Sequence, residues 1–304
     1  MKGRTVVLIS ICLIWVLLSY FSPRSVSGSN EYQVYLPIVV GQKQYTFLVA
    51  GHTYGVPGVN NPGFHPPFKA MFPQLNSRDL DFGVLTGDMV IWSTPTDWDE
   101  VDADLVELAF PVHFAVGNHD VSNRELFVSR YGPTFYSFEY QGDLFIVLDG
   151  ELGPCDISGE QMLFLQNTLD GSEAQNVFVF VHKLIWVTEG TPYYVLRSKL
   201  NSSIGYDFQA NFWTEVEPLL HELDAQVYVL AGDVGVSWAM SVFFEQYANI
   251  HLIANGMGGS EEESVLIFDV DSDGVQIEVL RLDGQPLNQG VLQDYNLAYY
   301  STAH

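Results

Sequence analysis

Short apolar runs recur along this chain, each broken by Gly, Asp, Asn or His and followed by an amphipathic stretch. Residues 45–50, 82–85, 112–116, 144–148, 177–181, 227–230 and 250–254 are almost wholly apolar, as expected of strands covered on both faces. Between them, residues 97–108, 122–131, 158–169 and 211–223 place apolar positions at helical spacing. Ser122 and Ser158 stand where the second and third of these helices need caps. Strands and helices in alternation predict a layered α/β sandwich. Near the end the rhythm changes. Residues 264–270 and 275–280 alternate in strand fashion around Asp271-Ser272-Asp273-Gly274, which predicts a hairpin. That turn mimics the opening of an EF-hand loop, but Leu280 stands where a bidentate Glu belongs and strands flank it, so it reads as a turn.

The first 27 residues follow another pattern. Lys2 and Arg4 precede an apolar run over residues 6–21, and Ser25-Val26-Ser27 follows, matching the three parts of an export signal. That run is shorter than the roughly 20 residues a membrane-spanning helix needs. The expectation is therefore a cleaved signal peptide over 1–27 and a secreted or extracytoplasmic protein, as against one anchored through an uncleaved N-terminus. Residues 28–44 read as a linker or edge strand and 45–304 as one domain, with no stable membrane span after cleavage. The 304 residues, 47% of them hydrophobic, are ample for one large core. Oligomeric state has no signature in the pattern.

Charge narrows the partners. The formal charge is −25. Cleavage after residue 27 would remove Lys2, Arg4 and Arg24 and no acid, leaving 9 of 12 bases against 37 acids, or −28. So negative a protein repels nucleic acid and anionic membranes. After cleavage Cys155 would be the one cysteine remaining, so no internal disulfide forms and the thiol reads as a small buried hydrophobe.

The chemistry lies at the strand ends. His52 follows the run at 45–50, Gly87-Asp88 follows 82–85, Gly117-Asn118-His119-Asp120 follows 112–116, His182 follows 177–181, and Gly232-Asp233 follows 227–230. Ligands of open α/β sheets sit beyond the carboxyl ends of the strands. Carboxylate, amide oxygen and imidazole together suit a divalent cation. Five strand ends with the same chemistry predict one shared metal or catalytic site, the candidate cofactor being a divalent ion: Mn, Mg, Ca, Fe or Zn. Tyr54, Trp92, Trp186 and Tyr206 are candidates for an apolar wall or for core packing. Gly256-Met257-Gly258-Gly259 reads as a close-approach loop at the site rim, Glu261-Glu262-Glu263 as a solvated loop, and Lys183 as a solvated lysine or a compensating cation.

These stretches resemble the calcineurin-like metallophosphoesterases. That family shows Asp-x-His, Gly-Asp, Gly-Asn-His-Asp/Glu, a strand-end His and Gly-His-x-His, where this chain has Ala50-Gly51-His52, Gly87-Asp88, Gly117-Asn118-His119-Asp120, His182 and Gly232-Asp233-Val234-Gly235. The resemblance runs from about residue 45 to 282 and implies a four-layer sandwich, two mixed β-sheets flanked by helices. It implies one metal held by Asp88, Asn118, His182 and Asp233, an oxygen-rich set favouring Mn, Mg or Ca over Zn. The second metal position keeps only His52 and Asp88, because Ala50 and Gly235 offer no ligand. The chemistry implied is hydrolysis of a small extracytoplasmic phosphomonoester or phosphodiester, with His119 and His52 as acid/base groups. The competing expectation is a non-catalytic descendant that binds a ligand at the same place.

Overall fold

The computed structural model describes residues 44–302 apart from Asn60 and Pro62. The expected signal peptide and the linker up to residue 43 lie outside the described residues; Gln44 already belongs to the first strand. The strands are β1 (Gln44–Ala50), β2 (Phe82–Thr86), β3 (Val112–Ala115), β4 (Tyr136–Tyr140), β5 (Asp143–Val147), β6 (Asn176–Val181), β7 (Gln226–Ala231), β8 (Val242–Tyr247), β9 (Ile250–Asn255), β10 (Ser264–Asp271) and β11 (Gly274–Arg281). The α-helices are α1 (Pro66–Ala70), α2 (Phe72–Asn76), α3 (Pro95–Leu105), α4 (Arg124–Tyr131), α5 (Gly159–Leu169), α6 (Glu217–His221) and α7 (Leu297–Thr302).

Two mixed sheets result, ordered β11-β10-β1-β2-β3 and β4-β5-β6-β7-β9-β8. Phenylalanines fill the space between them. Phe47 of β1 stacks on Phe82 and Phe268 of its own sheet, and meets Phe145 and Phe178 of the other sheet edge-on, the geometry that aromatic quadrupoles favour. A second apolar cluster, with Phe68, Leu75, Trp98 and Phe127, seats the early helices on the outer face of the first sheet. Leu165, Val216 and Leu220 pack into the larger cluster with the second sheet. This is the expected four-layer sandwich. Among the described residues no helix is long and apolar enough to cross a membrane.

The strands expected from apolar runs form with ends shifted by a residue or so; the helices need more correction. Pro95, at the first helical turn, starts α3 two residues early, and Thr94 caps it by accepting the Asp97 N–H. Ser122 does not cap α4: its hydroxyl donates to the His119 carbonyl, and Asn123 accepts from Leu126 instead, because a 3₁₀ turn over Asp120–Asn123 intervenes. Ser158 stands at the start of α5 without a side-chain bond to it. The helix expected at 211–223 is a π turn (Phe212–Val216) running into α6, since Pro218 has no N–H to continue an α ladder. The β8 strand and helices α1, α2 and α7 went unforeseen.

The central strands set up the site. β1, β2 and β3 run parallel, as do β5, β6, β7 and β9. Their carboxyl ends therefore open their loops at one end of each sheet.

Candidate metal centre

Asp88 is where the loops converge. It follows β2 and Gly87, whose φ is +88 and whose added Cβ would lie 2.5 Å from His182 Nδ1, so only glycine lets the two strands' polar ends approach this closely. Asp88 and His52 themselves sit at φ 57 and 54, a left-handed conformation that costs a non-glycine residue of order 1–3 kcal/mol and clusters at functional sites.

The Asp88 carboxylate divides its oxygens. Oδ1 accepts the His119 N–H at 3.2 Å. Oδ2 lies 3.3 Å from His182 Nε2 and 3.7 Å from His52 Nε2. Asp233, after β7, brings Oδ1 to 3.8 Å from the same His182 nitrogen, and its Oδ2 accepts the Tyr206 hydroxyl at 2.8 Å. Asp88, His182 and Asp233 are buried and offer ligand atoms that all lie within 4.8 Å of one another. Asn118 is exposed on the turn after β3, next to the half-buried His119.

The three histidines are oriented alike. His52 Nδ1 meets the Met257 carbonyl at 2.7 Å, His119 Nδ1 that of Ile91 at 2.7 Å, and His182 Nδ1 that of Thr86 at 2.8 Å. A carbonyl only accepts, so each Nδ1 carries a proton and each Nε2 is the nitrogen left for a ligand or a proton transfer. Metal-bound histidines are held this way in proteins. His182 Nε2 is buried without a hydrogen bond, an arrangement that costs free energy unless a charge or cation answers it.

Electrostatics follow from burying so many charges together. Burial alone would raise the Asp88 pKa, but His182 and His52 beside it hold it well below the usual carboxylate range. Burial opposes protonation of His182, yet the Asp88 and Asp233 carboxylates push it up to about 10. Burial raises Asp233 to about 6, with His182 opposing. Burial lowers His52 to about 4 against the pull of Asp88. A divalent ion fits this donor set: two carboxylates and an imidazole nitrogen that lies between them without a hydrogen bond.

A model of the family described as calcineurin-like phosphoesterase matches residues 40–233, more than half of the chain. The chain belongs to the calcineurin-like phosphoesterases. No curated protein matches it. Among solved structures, a conserved Streptococcus pneumoniae protein described as a predicted phosphoesterase is 13% identical, at TM-score 0.38 over 82% of this chain and 97% of that one. PhoD is 15% identical, at TM-score 0.49 over 82% and 73%. Vps29 of Chaetomium thermophilum is 12% identical, at TM-score 0.36 over 78% and 95%.

Against the calcineurin-like pattern, the departures are built into the packing. Gly235, in place of the last histidine of Gly-His-x-His, has φ +106, and a Cβ there would lie 2.3 Å from the Gly256 carbonyl carbon and the Met257 amide. Backbone occupies that corner. Ala50 is fully buried in the apolar cluster under the early helices.

Several residues around the centre take roles that the local pattern does not carry. Asp120 is fully buried, and its carboxylate accepts N–H groups from Asp88, Met89, Val90 and Gly117, tying the loops after β2 and β3 together. Burial and the Asp88 charge push its pKa up to about 7, with those N–H bonds opposing. Lys183 is a buried ion, not a solvated lysine, paired with Glu151 at 2.6 Å. Of the Glu261–Glu263 run, Glu263 is no solvated residue: it faces His65 at 3.1 Å and accepts the Gly258 and Gly259 N–H groups. It thereby braces the loop whose Met257 carbonyl holds His52. Of the four aromatic candidates, Trp186 is core, Tyr206 serves Asp233, Tyr54 packs between His52 and His119, and Trp92 is exposed. The Cys155 thiol is buried, which pushes its pKa up to about 12. At the hairpin, Asp271 Oδ1 accepts the Asp273 and Gly274 N–H groups, as a turn-forming Asp does.

Proposed function

We propose that this chain is a metal-dependent phosphoester hydrolase with one well-held divalent ion, acting on a small extracytoplasmic phosphomonoester or phosphodiester. The observation that carries the reading is the convergence of the ligand atoms of Asp88, His182 and Asp233 within 4.8 Å of one another, around a buried imidazole nitrogen that makes no hydrogen bond. Asp88, His182 and Asp233 would hold the ion, with Asn118 completing the set. A divalent ion supplies positive charge to phosphoryl oxygens and makes water more acidic at neutral pH. His119, whose Nδ1–H is donated to the Ile91 carbonyl, would protonate the leaving oxygen from Nε2 when the ring carries both protons. His52, kept neutral by burial, offers a proton acceptor on the other side of Asp88. Manganese is the metal of first choice, since the donor set is rich in oxygen. The extracytoplasmic setting rests on the export-signal pattern of residues 1–27.

The second reading is a ligand-binding descendant without turnover. It is favoured by one observation, that backbone fills the position where Gly235 replaces a histidine. One experiment separates the two. The protein is loaded with Mn²⁺, its metal content is measured, and hydrolysis of p-nitrophenyl phosphate and bis(p-nitrophenyl) phosphate is followed beside Asp88→Ala. About one equivalent of metal with turnover, both lost in the variant, supports the hydrolase. Metal without turnover, or no metal at all, moves the reading to the binding protein.

A further inference from the structure

Tyr54, Pro57, Gly58, Val59, Ile91, Trp92 and His119 line a cavity of about 500 Å³ beside the candidate metal centre, a size in the range of small-molecule sites. It adjoins the site: His119 belongs to both, and Tyr54 in its wall packs on the two histidines. The Tyr54 ring lies 4.2 Å from the His52 ring and 5.0 Å from the His119 ring, centroid to centroid. The walls come from two loops that the site already fixes: 54–59 follows His52, and Ile91-Trp92 follows Asp88. The Ile91 carbonyl that closes one wall is the acceptor orienting His119.

The lining is unusual for so acidic a chain. Among the described residues it holds no aspartate, glutamate, lysine or arginine, in a protein of formal charge −25. Trp92 is 63% exposed and Val59 45% exposed, so both leave much of their apolar surface to solvent. Exposed apolar area beside a polar centre marks a ligand-binding surface. With no lysine or arginine in the wall, the cavity has nothing to neutralise a charged ester arm such as a polyphosphate. Flat aromatic faces and an aliphatic floor match an uncharged ring.

We infer that this cavity is the subsite for the alcohol side of the substrate, and that the substrate class is a phosphoester of an uncharged aromatic or similarly flat apolar alcohol. The inference rests on the hydrolase reading above and narrows it. With the phosphoryl group at Asp88, His182 and Asp233, the ester oxygen lies toward His119 and the ring toward Tyr54 and Trp92. Trp92 acts on binding of the ring and not on the phosphorus chemistry.

The test uses non-hydrolysable probes on the Mn²⁺-loaded protein: 1-naphthylphosphonate against methylphosphonate, by titration calorimetry. The expected result is that the naphthyl probe binds at least about tenfold more tightly than the methyl probe. Trp92→Ala should remove that preference, leave methylphosphonate binding unchanged and leave metal content unchanged, and Trp92→Phe should retain most of it. With 1-naphthyl phosphate as substrate, Trp92→Ala should raise KM about tenfold with little change in kcat. Equal binding of the two probes, or a preference that survives Trp92→Ala, overturns the subsite while the hydrolase reading stands. Failure of both phosphonates to bind overturns the phosphoester reading itself and the subsite with it.

Discussion

The ammonium of Lys183 lies 2.6 Å from Glu151 Oε2 in the interior, one residue beyond His182. The same nitrogen donates to the Gly205 carbonyl at 2.8 Å and sits 5.6 Å over the ring of Tyr206, whose hydroxyl serves Asp233. A buried charge pair of this kind contributes little net stability as a pair, but removing one partner strands the other. Glu151→Gln should destabilise the protein by roughly 3–5 kcal/mol in urea unfolding. Adding Lys183→Met to it should recover part of that loss. A double variant less stable than Glu151→Gln alone would show that the pair is not the origin of the effect.

Asp120 organises the centre without standing in it. Its carboxylate holds four backbone N–H groups, including that of Asp88, and Asp120→Asn would turn an NH₂ toward donors. The expected outcome is a loss of stability of about 1–3 kcal/mol and a fall in Mn²⁺ affinity of about 10- to 100-fold. Unfolding and metal titration of the same variant measure both. Unchanged metal affinity in a destabilised variant would mean that Asp120 supports the loops without positioning Asp88.

Restoring the family's missing ligands should fail. An Ala50→Asp/Gly235→His variant places side-chain atoms at φ +106 and within 2.3 Å of the Gly256–Met257 backbone, and sets a carboxylate in an apolar cluster. It should unfold more readily than the parent and bind no second equivalent of metal by elemental analysis. Two equivalents would show that the 256–257 loop yields at little cost.

The His182 proton competes with metal. Its folded-state pKa, raised from 6.5 to about 10 by the neighbouring carboxylates against the effect of burial, means the metal-free imidazole is charged at neutral pH. The stability this gives the metal-free protein is full below pH 6.5 and is lost as pH rises through about 10. A metal must displace that proton, so apparent affinity should rise about tenfold per pH unit between pH 7 and 9. Competition titrations against a chromophoric chelator at three pH values give the slope, and a flat profile would show that His182 releases no proton.

The seven buried strands and the family resemblance were legible in the chain because both are local. An apolar run of the right length is a strand wherever two sheets cover it, and Asp88, His119 and His182 sit at fixed offsets from such runs. Reading Ala50 and Gly235 as lost ligands needed only their side chains. What the pattern could not carry was long-range closeness. Lys183 looked solvated because its partner, Glu151, is 32 residues away. Glu263 looked like part of a solvated acidic loop because His65 and two glycine amides reach it only in three dimensions. Trp186 and Trp92 are the same residue type on comparable loops, yet one is fully buried and the other 63% exposed. Burial of a side chain depends on which distant elements fold over it, and only the packed sandwich decides that. The chain by itself determined which residues could ligate; the tertiary structure decided that Asp88, His182 and Asp233 meet, how their histidine partners are oriented, and that an uncharged aromatic cavity opens beside them.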